Sequence, residues 1–225
     1  MPVVGIDSHG TAIQTEVFNA TGAPNRGLVA VVHGSDGMNE PWAAEIRGYA
    51  TNLATKGFTV LIPHYFDKTG TTPGLAVFDQ LSSNLDSWQE AVADTVMYGK
   101  TVLGISASCV GLLGFSLGGH ICLRLRGNAK VLVEFFAPSL PEVGGLGPGW
   151  PPVPHVQIHH GTADLLVPYS NAESIAAALK LEGTAVELFA YEGAGHGFIG
   201  VDPNNATARR SSEDRTLSFF EGHLT

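Results

Sequence analysis

Positive charge is scarce in this chain. Twelve lysines and arginines stand against 21 aspartates and glutamates, a formal net charge of −9 over 225 residues. No Lys/Arg cluster offers a track for phosphates, so neither a nucleic acid nor an anionic membrane is an expected partner. Cysteine is nearly absent too. Cys109 and Cys122 are too few for a disulfide framework and are expected as reduced, buried thiols around a strand-to-helix turn. No apolar run approaches the ~20 residues of a membrane span. The opening "MPVVGIDSHG" lacks the basic patch and long apolar stretch of a secretory leader. A cytoplasmic protein is the expectation.

Glycine and proline are plentiful, 28 and 13, and lie between apolar segments, as tight turns require. With 44% hydrophobic residues, the length suits one domain, residues 1–225, around a full core. "TAIQTEVFNA" (11–20) alternates polar and apolar like a strand, and 21–27 turns it. The apolar runs 28–34, 58–65, 109–116, 129–138 and 155–161 are of strand length and unalternating, as in strands covered on both faces. Helical periodicity marks 41–57, ending on Gly57, and 85–99, where Leu85, Trp88, Val92 and Val96 share a face. Further helices are expected over 117–127, 168–182 and about 207–222, with a strand at 185–193; segments 66–84 and 139–154 are loop by composition. Such alternation predicts an α/β fold, a mostly parallel twisted sheet with helices on both faces.

One pentapeptide carries a hydroxyl between glycines at such a turn: Gly114-Phe115-Ser116-Leu117-Gly118. A G-x-S-x-G match arises by chance in about one chain in five of this glycine content, and Ser116 could be just a small residue in a turn. A serine becomes a nucleophile only when a base takes its proton and a third group fixes the base. In open parallel sheets, sites form beyond the carboxyl ends of the strands. Two polar residues stand there: Asp164 after strand 155–161 and His196, between Gly195 and Gly197, after strand 185–193. The order Ser…Asp…His is the one used on α/β-hydrolase sheets, and it tips the reading toward a nucleophile. The other histidines suggest no metal site: His159 and His160 are adjacent on a strand and face opposite ways, and His155 lies about 13 Å from His159. No cofactor is expected.

From "VVHGSDGMN" through "VLIPHYFD", "GFSLGG" and "HGTAD" to "GAGHGF", the chain resembles the α/β-hydrolase superfamily and, within it, the dienelactone-hydrolase-like family. The resemblance implies an α/β-hydrolase fold with Ser116 as nucleophile, His196 as base and then acid, and Asp164 as the carboxylate that orients it. It also implies an oxyanion hole of the Leu117 and Ser35 backbone N–H groups. His33 is expected to brace that loop, His120 to be a structural neighbour one helical turn above Ser116, and the Asp36 side chain to turn away and cap the helix near Pro41. Two features depart from the family. Ser116 stands where those hydrolases carry cysteine, and Gly34 where a glutamate meets the thiol. The arginine clamp for a carboxylated lactone is also missing, with Gly200 four positions after His196.

Trp42, His64, Tyr65, Phe66, Trp150 and Phe198 follow strands in loops and are candidate pocket walls, with Lys68 the one nearby cation. The short segment 139–154 implies a minimal cap. The leading expectation is a cofactor-independent serine hydrolase acting on a small-molecule ester, lactone or thioester. A peptidase-like hydrolase and a catalytically silent binding protein on the same fold are the alternatives.

Overall fold

The computed structural model describes residues 1–21, 26–146 and 152–224. The chain opens with a hairpin of β1 (Val3–Ser8) and β2 (Thr11–Phe18), joined by His9 and Gly10, both at positive φ (48° and 86°). Two residues with positive φ match the right-handed twist of the strands they join. Sequence reading gave β2 but not β1, a short strand whose outward residues are exposed. There follow β3 (Gly27–Val32), α1 (Trp42–Thr55), β4 (Phe58–Pro63), α2 (Leu81–Thr101), β5 (Val110–Phe115), α3 (Leu117–Arg124) and β6 (Val131–Phe135). The chain closes with β7 (His155–Gly161), α4 (Ser170–Leu181), β8 (Ala185–Tyr191) and α5 (Pro203–His223).

One eight-stranded sheet results, in the order β1-β2-β4-β3-β5-β6-β7-β8. β1 and β2 run antiparallel, and every pairing from β4 to β8 is parallel. Strands β3, β4, β5 and β6 are buried throughout, and their alternate residues supply two cores. Leu28, Ala30 and Val32 pack among residues of α2, α3 and α4, while Val29 and Val31 pack among residues of α1 and α5. That is why the strands read as unbroken apolar runs. From β3 the chain moves outward to β4 and then returns to β5 on the other side. The ends of β3 and β5 are therefore the point where strand order reverses, and a crevice opens there.

Several boundaries shifted for local reasons. Asp202 caps α5 by accepting from Asn204 N (2.7 Å) and Asn205 N (3.4 Å), with Pro203 at the first helical position, so the helix begins earlier than 207. The segment 66–84 is not plain loop: short 3₁₀ turns cover Tyr65–Lys68 and Leu75–Gln80, and the second leads straight into α2. Cys122 is buried, Cys109 is partly exposed, and both are free thiols.

A charge cluster around the buried Glu16 ties the antiparallel edge to α1. Glu16 on β2 accepts both Arg47 Nε (2.8 Å) and Arg47 Nη2 (2.7 Å), and His64, just past β4, lies 3.1 Å from the same carboxylate. His64 is thus held by Glu16 and does not wall the cleft described below, contrary to expectation. Burial raises the Glu16 pKa, but Arg47 and His64 outweigh it and bring the carboxyl down to about 2. A carboxyl depressed on folding stabilises fully above its unfolded value, near 4.5, and loses that contribution as pH falls through about 2. Glu16→Gln should therefore cost about 3 kcal/mol of unfolding free energy at pH 7. In denaturant titrations at decreasing pH, the gap to wild type should close toward pH 2; a constant gap would contradict this assignment.

Candidate active site

The end of β5 turns sharply into α3 at Ser116, whose backbone sits at φ 51°, ψ −119°. This conformation is costly for a residue with a side chain. The turn is that tight because α3 lies almost against the sheet. A Cβ on Gly118 would meet Val32 O at 2.2 Å and His33 O at 2.3 Å, and one on Gly114 would meet Gly118 O at 2.4 Å. Gly34 is tight as well but less so, its absent Cβ 3.2 Å from Ser116 Cβ. Ser116 N donates to Phe135 O (2.8 Å), and Ser116 O accepts from His120 N (3.1 Å). The hydroxyl has no hydrogen-bond partner among the described residues and lines a cleft at the carboxyl edge of the sheet.

Two N–H groups flank it. Leu117 N opens α3, and Ser35 N lies in the turn after β3; among the described residues neither donates to a protein acceptor. His33 braces this turn from behind. It is buried, its Nδ1 lies 2.9 Å from Gly34 O, and its ring stacks on Tyr65 at 4.2 Å. Burial lowers His33 to about 3, so the ring is neutral and Nδ1 carries the hydrogen that Gly34 O accepts.

Asp164 follows β7. Its Oδ1 accepts Leu166 N (2.9 Å) and Val167 N (2.8 Å), a local turn that fixes the carboxylate. Oδ2 accepts His196 Nδ1 at 2.7 Å and lies 3.4 Å from His160 Nε2. Burial raises the Asp164 pKa, but the two imidazoles and the backbone donor outweigh it and hold the carboxyl well below its usual range. His196 sits in the loop after β8. Asn205 of α5 holds that loop, accepting Gly195 N (2.8 Å) and donating to Ile199 O (2.7 Å). With Nδ1 donating to Asp164, the neutral ring keeps Nε2 as its free base. Ser116 and His196 face the same cleft, with no hydrogen bond between them among the described residues. Unliganded sites commonly have this looser spacing.

The cleft walls are aromatic: Trp42, Phe115, Phe135, Phe136 and Phe198 line it beside Ser116. Gly197, at φ 76°, lets Trp42 close in, because a Cβ there would fall 2.1 Å from the indole. Of the expected pocket residues, Trp42 and Phe198 are in place, whereas Tyr65 and Phe66, like His64, are not. Tyr65 is buried and donates to His33 O (3.0 Å), and Phe66 packs edge-on against Trp88. Trp150 lies outside the described residues. Asp36 does not cap α1, which has no side-chain cap at Pro41; it lines the cleft instead. Lys68 is turned to Ser8 and Glu90. The cation at the cleft is Arg209, missed because it lies in the middle of α5; it donates to Phe198 O (3.2 Å) and faces Glu45 at 3.6 Å. Phe136 gave no sequence signal either, since its place depends on a left-handed turn (φ 44°) after β6.

Among the described residues no group of three or more His, Cys, Asp or Glu is placed to hold a metal ion. No described helix is long and apolar enough to cross a membrane. The reversed-order parallel sheet, the strained serine at its elbow and the strand-end Asp–His pair define an α/β hydrolase. The family profile of the dienelactone hydrolases matches residues 13–224, and the chain belongs to that family. It is 26% identical over 223 residues to a "putative carboxymethylenebutenolidase" of Synechocystis sp., covering 88% of this chain and 86% of that protein. Among solved structures it resembles a dienelactone hydrolase-like promiscuous phosphotriesterase from metagenomic libraries (TM-score 0.81, 19% identity, 100% and 98% of the two chains). It also resembles the acylaminoacyl peptidase of Pyrococcus horikoshii (TM-score 0.74, 14% identity), covering 99% of this chain but 41% of the peptidase.

The elbow yields a stability prediction. Ser116→Gly relieves a strain of about 1–3 kcal/mol and gives back part of it as unfolded-state entropy. It should raise unfolding free energy by about 1 kcal/mol, measured by urea denaturation. Gly118→Ala should lower it by ~3 kcal/mol or more, because its methyl meets backbone that cannot yield.

Proposed function

We propose that the chain is a serine hydrolase that cleaves carboxylic ester-type bonds (ester, lactone or thioester) through an acyl-enzyme on Ser116. The observation that carries this reading is the 2.7 Å Asp164–His196 bond beside a strained serine, in one cleft with Ser35, where neither Ser35 N nor Leu117 N has a protein acceptor among the described residues. His196 Nε2 would take the Ser116 proton as Oγ attacks the acyl carbon. The oxyanion would then lie against Ser35 N and Leu117 N, at the positive end of α3. Collapse expels the alcohol or thiol with the proton from His196, and water repeats the sequence in reverse to free the acid. A silent binding protein would gain nothing from the strain at Ser116. A peptidase reading draws on structural neighbours that are peptidases, of each of which this chain spans less than half.

The rim bears on substrate. Asp36 and Glu45 outnumber Arg209, and Glu45 faces that guanidinium. A carboxylated substrate would have to compete with Glu45 for its only counter-charge among the described lining residues. Neutral short to medium acyl groups fit the aromatic walls without that cost.

Ser116→Ala should lower kcat for p-nitrophenyl esters ~10⁴-fold with the fold intact, and a fluorophosphonate should label wild type at Ser116. Near-normal turnover by this variant would remove the mechanism. Neutral esters should exceed a carboxylated dienelactone of similar size at least tenfold in kcat/KM, about 1.4 kcal/mol. Glu45→Gln should narrow that ratio by releasing Arg209; an unchanged ratio would mean that Arg209 does not meet the substrate.

A further inference from the structure

On the face of the sheet opposite the aromatic cleft, below Asp164, three fully buried side-chain atoms have no hydrogen-bond partner among the described residues: Glu134 Oε1, His160 Nδ1 and His120 Nε2. Glu134 lies on β6 and His160 on β7. Glu134 is paired in register with Ile158, so His160, two residues on, is its diagonal neighbour on the same face. An isolated buried carboxylate costs several kcal/mol, and an apolar residue would fill this position more cheaply. Nothing in the cleft-side machinery uses Glu134.

The hydrogen positions can be worked out. His160 Nε2 lies 2.8 Å from Val167 O, an acceptor only, so Nε2 holds a hydrogen whatever the charge on the ring. The same edge faces Asp164 Oδ2 at 3.4 Å. Any change of charge on His160 must therefore happen at Nδ1, the unpartnered atom. Glu134 uses Oε2 to accept Ala137 N (2.9 Å), which leaves Oε1 without a hydrogen-bond partner among the described residues. The two orphans do not hydrogen-bond to each other, so they are coupled through charge: the Glu134 carboxylate favours an imidazolium at Nδ1, and a protonated Glu134 leaves the ring neutral.

We propose that Glu134 and His160 are a charge-coupled carboxylate and imidazole, diagonal neighbours on one face of the sheet, and that His160 holds Asp164 from behind and sets how much of its charge reaches His196. Both are positioning residues, and the inference rests on the triad reading above. With the proton on His160, Asp164 is shared between two imidazoles, and His196 is protonated less readily. With the proton on Glu134, the neutral His160 still faces Asp164 through Nε2–H but carries no charge, and the carboxylate's charge is left to His196. Burial pushes Glu134 up to about 7, against opposing effects of His160 and the Ala137 N–H. Burial lowers His160, but Asp164, Glu134 and Val167 O outweigh it and raise the ring above its usual value. The other titratable neighbours are uncharged near neutrality. On α3, burial lowers His120, whose Nδ1 faces Pro138 O, to about 4, and it raises the Cys122 thiol. At the start of α4, Tyr169 meets the His160 ring edge-on at 5.8 Å, and burial raises it.

The test is the pH profile of kcat/KM on a neutral p-nitrophenyl ester. Glu134→Gln removes the anion that favours a charged His160, so the acid limb should move up by about 0.5 pH unit. His160→Gln keeps a donor for Val167 O and Asp164 but cannot be charged, and should move the limb the same way. The double variant should shift it no further than either single change, because the two act as one unit. A merely structural role would lower stability or kcat and leave the limb in place, and that result would overturn the proposal. Should either variant fail to fold, ¹⁵N histidine NMR of the wild-type protein decides: Nε2 of His160 should stay protonated across the titration while Nδ1 changes. A His160 ring that stays neutral down to the acid limb would overturn the proposal. Ser116→Ala and fluorophosphonate labelling are run in parallel. If they behave as expected while the limb does not move, only this inference fails; if Ser116→Ala stays active, the triad reading fails with it.

Discussion

How closely α3 can approach the sheet governs everything at the carboxyl edge. Gly118 rests on the carbonyls of Val32 and His33, and Gly114 rests on Gly118. Were either contact widened by a methyl group, the turn at Ser116 would relax and its φ of 51° would have no reason to persist. The strain at Ser116 is imposed by a helix packed closely on one side and by the β5 pairings with β3 and β6 on the other. The same approach sets the start of α3 directly after Ser116, where Leu117 N has no protein acceptor among the described residues. Position, strain and a local positive potential thus have one geometric cause.

Charge at the site follows a similar economy. Asp164 is fixed by two backbone N–H groups on one oxygen and faces imidazoles with the other. A buried carboxylate with so many donors stays ionised, whereas Glu134, with one backbone donor and an unpaired oxygen, is pushed toward its acid form. Two carboxylates on neighbouring strand ends therefore have opposite tendencies because their donors differ in number. The imidazole between them, His160, is the group through which the one senses the other.

Much of this was legible in the sequence, for identifiable reasons. Strands covered on both faces read as unbroken apolar runs, so β3 through β7 were found within a few residues. Ser116, Asp164 and His196 could be singled out because each follows a strand in a glycine- or turn-rich context, and the sheet brings strand ends together. Residues whose place depends on packing between distant elements were not legible. Arg209 reaches the cleft from mid-helix, and Phe136 through a left-handed turn. Tyr65 and Phe66 failed in the opposite sense: a loop after a strand read as pocket wall, but the 3₁₀ turn at Tyr65–Lys68 folds both rings inward beneath His33. Aromatic residues in loops carry no sign of which way they face.

The unusual backbone conformations share a location that the core packing alone would not produce. Five non-glycine residues adopt positive φ among the described residues, and three of them, Ser116, Phe136 and Phe198, line the cleft at the ends of β5 and β6 and in the loop after β8. Each such residue costs of order 1–3 kcal/mol, in a fold whose net stability is only about 5–15 kcal/mol. The two cores beneath, with their fully buried strands, are what offset that cost. The three positions act together: Phe136 packs 4.6 Å from the His196 ring and 5.5 Å from Phe198, and Gly197 admits Trp42 to the opposite wall. The aromatic lining thus packs against the His196 ring and holds it, and the left-handed turns are what bring those rings over the sheet edge. A sheet with relaxed loops would keep the fold and lose the enclosure, so the strain belongs to the site and not to the scaffold.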